Sequence, residues 1–142
     1  MSLRVLLDTN VVLDVLLERR PYAGPASQVL SLVDSGRIEG AVTAMAMTTV
    51  HYLVQRALGR RRADECVCRL LDMVAVAPVD VGVLLAATRT GFPDFEDAVV
   101  YTAALAWRAD GIVTRDAGGF RKARLPVFEA HELWSAVTLA ED

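Results

Sequence analysis

Five short apolar runs recur along this 142-residue chain, and none sustains an alternation of polar with apolar residues. They are LRVLLD (3–8), IEGAVTA (38–44), VAVAPVD (74–80), DGIVTRD (110–116) and PVFEA (126–130). A strand with one wet face shows a period of two, whereas a run that is apolar at successive positions needs cover on both faces. Between the runs the periodicity turns helical. TNVVLDVLLERR (9–20) is ended by Pro21, YAGPASQVLSLVDSG is closed by Gly36, and AMAMTTVHYLVQRALG (44–59) stops at its glycine. RADECVCRLLDMV (62–74), VGVLLAATRTG (81–91), a helix from the acidic stretch at 94–97 to about Arg108, and HELWSAV complete the set. Apolar strands separated by helices predict a parallel sheet covered on both sides, a three-layer α/β/α arrangement of four or five strands. With no internal repeat, linker or low-complexity tract, residues 1–142 read as a single domain.

The chain is 54% hydrophobic with a mean hydropathy of +0.34, yet charges interrupt every apolar run before the ~18–20 residues of a membrane span. The N-terminus shows no basic segment leading into an apolar stretch with a small-residue cleavage site, so no secretory leader is expected. Cys66 and Cys68 are the only cysteines; two apart on a helix, they face different directions and are expected neither to bridge nor to bind zinc. These features point to the cytoplasm. A net charge of −3 does not mark a nucleic-acid binder, but the distribution of charge is uneven. All basic residues except Lys122 are arginines, clustered at Arg56, Arg60, Arg61 and Arg62 and again at Arg115, Arg121, Lys122 and Arg124. The first cluster reads either as a solvated helix face or as a rim that contacts phosphates, which the planar guanidinium fork suits.

The segment FPDFEDAVVYTAAL (92–105) sets Asp94, Glu96 and Asp97 at the mouth of an otherwise apolar helix. Capping accounts for part of this. Asp94 after Pro93 is a good N-cap, Asp97 occupies the capping-box position, and first-turn acids meet the positive helix end for roughly 0.3–1 kcal/mol each. The fold supplies a second account. Ligands of parallel sheets bind beyond the carboxyl ends of the strands, near the point where strand order reverses. Asp8 ends the first strand, Asp116 ends the fourth, and the 94–97 acids open the helix between. Three segments can therefore deliver carboxylates to one edge. Such carboxylates repel unless a cation neutralises them, and hard oxygen donors without His or Cys select Mg2+ or Mn2+ rather than zinc. His51 and His131 are isolated and read as surface or capping residues. No phosphate-cradling glycine loop and no serine nucleophile with a base in reach is visible.

LLDTNVVLDVLLERRPY, AVTAMAMTTVHYLV, FPDFEDAVVYTAAL and DGIVTRDAGGF, in this order and spacing, resemble the PIN-domain family, which includes the VapC-type ribonucleases of toxin–antitoxin pairs. The resemblance runs over essentially the whole chain, through PVFEAHEL. It implies a PIN-like, Rossmann-like parallel sheet, Mg2+ or Mn2+ as cofactor, and cleavage of single-stranded RNA. It further implies an antitoxin protein as partner and a homodimer. Asp8, Asp97 and Asp116 match the metal-binding acids, with Asp94 as helper. Asn10, expected to cap the first helix, and Thr114 match the polar supports, while Arg60, Arg61, Arg62 and Arg115 are the candidate RNA contacts. Glu96, about 100° from Asp97 around the helix, is placed outside the metal shell.

Many members carry a glutamate on the helix after the second strand; here TAMAMTT puts Thr49 at that position. Asp14 lies too far down its helix to replace it. The departure keeps two other readings open: a PIN-like RNA-binding or scaffold protein with a weakened site, and an Asp8-based phosphotransfer domain.

Overall fold

The computed structural model describes residues 2–140. Five strands, β1 (Leu3–Leu7), β2 (Ile38–Thr43), β3 (Ala75–Ala77), β4 (Gly111–Val113) and β5 (Val127–Phe128), form one sheet in the order β3-β2-β1-β4-β5. Every pairing is parallel: Leu3 aligns with Ile38, Leu7 with Val113, Thr43 with Ala77 and Val113 with Phe128. Seven helices cover the sheet: α1 (Thr9–Leu16), α2 (Ala23–Asp34), α3 (Ala44–Leu58), α4 (Arg60–Met73), α5 (Val81–Ala87), α6 (Phe95–Trp107) and α7 (Ala130–Ala140). A short 3-10 turn, Ala117–Phe120, follows β4.

Side chains alternate between the two faces of each strand, and the two cores follow from that geometry. Val5 and Leu7 of β1, Val42 of β2 and Val113 of β4 pack into one core with α1, α2, α3, α4 and α7. Leu6, Ala41 and Ile112, their neighbours in sequence, enter the opposite core with α5 and α6. The strands are apolar throughout because both faces are dry, as the sequence predicts. Helix α6 is buried at every position from Ala98 to Ala104, which makes it central to the second core.

The elements are shorter than their sequence patterns. Helix α1 ends at Leu16 rather than Arg20, before Pro21 can act, because Glu18 takes a left-handed conformation (φ 51°). There the Arg19 N–H reaches Asp14 O (2.9 Å) and the Glu18 N–H reaches Val15 O (3.3 Å), a paired closure that satisfies the last carbonyls. The same closure ends α2 at Gly36 (φ 79°), as expected, and α6 at Arg108 (φ 63°). Helix α5 stops at Ala87, since Thr88 and Thr90 turn their hydroxyls onto the Leu85 and Ala87 carbonyls. Strand β4 covers only 111–113; the Thr114 N–H still reaches Phe128 O (2.9 Å), while its hydroxyl donates to Asp8 and accepts the Asp116 N–H. Cys66 and Cys68 are free. No helix among the described residues is long and apolar enough to cross a membrane.

One long-range clamp fixes α6 axially. Arg4, early in β1, donates to Trp107 O (2.8 Å) and Arg108 O (3.3 Å), lies 3.9 Å over the Trp107 ring and pairs with Glu39 at 2.7 Å. Its backbone N–H also donates to the Asp110 carboxylate (2.8 Å).

Candidate active site

Strand order reverses at β1, which lies between β2 and β4, and the carboxyl ends of β1 and β4 deliver Asp8 and Asp116 side by side. Asp8 is 7% exposed and is the N-cap of α1: its Oδ1 accepts the Thr9 N–H (2.9 Å). Its Oδ2 accepts the Thr114 hydroxyl at 2.9 Å and the Asn10 amide at 3.5 Å. Asn10 is therefore not the cap expected from sequence; it sits in the first turn and braces the residue that is. Thr114, fully buried, also accepts the Asp116 N–H (3.0 Å), so one hydroxyl couples the ends of both acid-bearing segments.

Helix α6 brings its first turn to the same place. Asp94 is its N-cap, and its Oδ1 accepts the Asp97 N–H at 3.0 Å. The capping account is thus correct for Asp94 and leaves the Asp97 carboxylate without a hydrogen-bond role. A Cβ at Gly119 would stand 2.5 Å from Asp97 Oδ2 and 3.4 Å from Asp116 Oδ2. Gly119 is a close-approach glycine, and the gap where its side chain would be is the point on which both carboxylates converge.

The electrostatics match this convergence. Burial pushes the Asp97 carboxyl up to about 6, with further contributions from Asp94, Asp8, Asp116 and Glu96. Burial likewise raises Asp8, opposed by the hydrogen bonds from Thr114 and Thr9 and assisted by Asp116 and Asp94. Among the described residues, no ion pair neutralises Asp8, Asp94, Glu96, Asp97 or Asp116. As placed, no three of the described acids close on a single coordination point. The donor set and the notch at Gly119 fit a hard divalent cation, which would draw the acids inward against their mutual repulsion.

The remaining candidates spread more widely. Thr49 lines a cleft of about 390 Å³ beside the acids, together with Thr9, Thr43, Met45 and Phe95. Glu96, expected outside the metal shell, lines it too. In a first turn the Cα–Cβ bonds tilt toward the helix N-terminus, so acids at different azimuths all lean past the helix end. Arg115 turns away from the acids. Its Nε donates to Asp14 Oδ2 at 3.0 Å and its guanidinium lies 4.3 Å from the Tyr22 ring centre. Arg60, Arg61 and Arg62 are exposed at the start of α4, with Arg61 paired to Glu65 at 3.2 Å. The full length of α3, about 20 Å, separates them from the cleft. His51 pairs with Asp64, and His131 stands 3.8 Å from Glu129.

Fold and site together define a class: a doubly wound α/β domain with carboxylates brought to the edge where strand order reverses. The family model of the PIN domain matches residues 4–118, and the protein belongs to the PIN-domain family. Among solved structures, DNA-bound VapBC from Salmonella typhimurium is similar in fold, with TM-score 0.69 and 16% identity over 91% of this chain and 99% of that one. A toxin–antitoxin complex from Klebsiella pneumoniae gives TM-score 0.68 and 19% identity over 90% and 98% of the two chains. VapC20 of Mycobacterium tuberculosis, a sarcin–ricin-loop-cleaving toxin, gives 0.64 and 16% over 81% and 92%. No curated protein sequence matches the chain at a significant level.

Proposed function

We propose that this protein is an Mg2+- or Mn2+-dependent endoribonuclease that cuts single-stranded RNA and is the toxin of a toxin–antitoxin pair. The observation that supports the reading is the pair of carboxylates, Asp97 and Asp116, flanking the notch at Gly119, with Asp8 at the neighbouring strand end and no cation paired to any of the three among the described residues. These three carboxylates would hold the cation, with Asp94 supporting from the N-cap. When bound, the cation supplies activation of a water and stabilisation of the leaving oxygen of a phosphodiester. The chain's own contribution is geometric. Thr114 holds the Asp8 carboxylate oriented and the 114–116 segment in register with it, and Asn10 braces the other side.

The cleft suits an unpaired strand. Phe95, 53% exposed, and Met45 form an apolar lip on which a splayed base can stack. The solved structures similar in fold include toxin–antitoxin assemblies, which supports an antitoxin as partner. The test is cleavage of a single-stranded RNA by the purified protein in millimolar Mn2+, compared with Asp97→Asn and with excess chelator. Cleavage that survives the substitution or the chelator would sink this reading, and co-expression with a neighbouring small antitoxin gene should relieve any growth arrest.

A further inference from the structure

Ten residues line the cleft beside the acids, and Glu96 is the only ionisable one. Its position follows from the helix. Glu96, Val99 and Val100 stand at i, i+3 and i+4 on α6, one stripe, and all three line the cleft. The opposite wall is the first turns of α3, where Met45, Ala46, Thr48 and Thr49 offer hydroxyls and apolar surface but no charge. Asp97 lies on the neighbouring stripe of α6 and faces Gly119. The first turn of α6 therefore presents carboxylates in two directions, one toward the β4 loop and one into the cleft.

We infer that Glu96 is a further carboxylate of the catalytic centre, binding the divalent cation from the cleft side in place of any acid on α3. This rests on the metal-dependent reading above. A neutral α3 wall leaves the cleft side of the cation open, and Glu96 is the single charged group there that can close it. The charge of the cleft stands on its α6 wall, and Thr49 can stay neutral without emptying the site. Among the described residues none donates a hydrogen bond to the Glu96 carboxylate or pairs with it, which leaves it open to a ligand.

Calorimetric titration with Mn2+, read together with the metal-induced shift in melting temperature, tests this on the full chain. Glu96→Gln is expected to bind Mn2+ about tenfold more weakly, within the 10–100-fold range typical of groups that tune a metal site. Thr49→Glu added to Glu96→Gln should recover most of that loss, because it restores the charge from the facing wall. Asp34→Asn, a charge removed at the exposed end of α2, should bind as the wild type does. Glu96→Gln within twofold of wild type overturns the assignment, as does an Asp34→Asn loss of equal size. If wild type and Asp97→Asn both fail to bind Mn2+, the metal-dependent reading itself falls and takes this one with it.

Discussion

Asp8 and Asp14 stand six residues apart at the two ends of α1, both nearly inaccessible at 7% and 2% exposure, and the protein treats them in opposite ways. Asp14 is given cations: Arg115 at 3.0 Å and Arg19 at 3.9 Å. Asp8 is given only neutral donors, from Thr9, Thr114 and Asn10, and its nearest charged influences are other acids. The contrast is sharpened by three consecutive residues. Thr114 serves Asp8, Arg115 serves Asp14, and Asp116 adds a negative charge to the side that already has too many. A buried carboxylate with its own arginine is a structural element. One denied an arginine that stands a single residue away suits the cation that the proposed function calls for.

The largest effect expected from breaking this contrast is on the unpaired side. Asp97→Asn should abolish the Mn2+-induced rise in melting temperature and lower cleavage by more than the roughly 10–100-fold that neighbouring supports contribute. Metal titration and single-turnover RNA cleavage measure it. Thr114→Val should come next, because it strips Asp8 and the Asp116 N–H of one shared hydroxyl. Loss of metal affinity of about tenfold is expected, and a retained affinity would mean that Thr114 is only packing.

On the paired side, Asp14→Asn should cost about 2 kcal/mol of stability by chemical denaturation, since Arg115 is left without its counter-charge but is a third exposed. Metal affinity should change far less than in Asp97→Asn. The smallest effect is on pH dependence. Asp97 titrates near 6 in the folded protein against an ordinary value of 3.8, so the folded state holds its proton more tightly than the unfolded chain does. Without metal, this group's unfavourable contribution is absent below pH 4, grows as pH rises to about 6 and is constant above. Melting curves of the metal-free protein from pH 4 to 8 should therefore show a shallower decline for Asp97→Asn than for wild type. Added Mn2+, which competes with that proton, should bind more tightly as pH rises through 6.

Sheet, layers and the placement of acids at strand ends were legible because burial of both faces leaves an unmistakable apolar signature on strands and because a parallel sheet has one chemical edge. Helix ends were less so. The closures at Glu18 and Arg108 use left-handed residues without glycine, which leaves no sequence mark, and so α1 was read four residues too long. Asn10 was taken for the cap, whereas Asp8 is the cap: its Oδ1 accepts the Thr9 N–H and its Oδ2 the Thr114 hydroxyl. Glu96 was placed by azimuth alone, which says nothing of the cleft on its side of α6. The charge of Arg115 is visible in sequence, whereas its pairing with Asp14, a hundred positions distant, is not.

The Arg4 clamp gives the site a mechanical address far from its chemistry. Helix α6 is about 20 Å long, with its acids at one end and its carbonyls gripped by Arg4 at the other. A rod pinned at its foot transmits any slip to its tip, so the spacing of Asp94, Glu96 and Asp97 from Asp8 is gauged from the opposite rim of the sheet. Because Arg4 lies in β1 and Asp8 directly follows its last residue, helix and acid are referred to one datum, and the distance between them is held by the rigidity of β1.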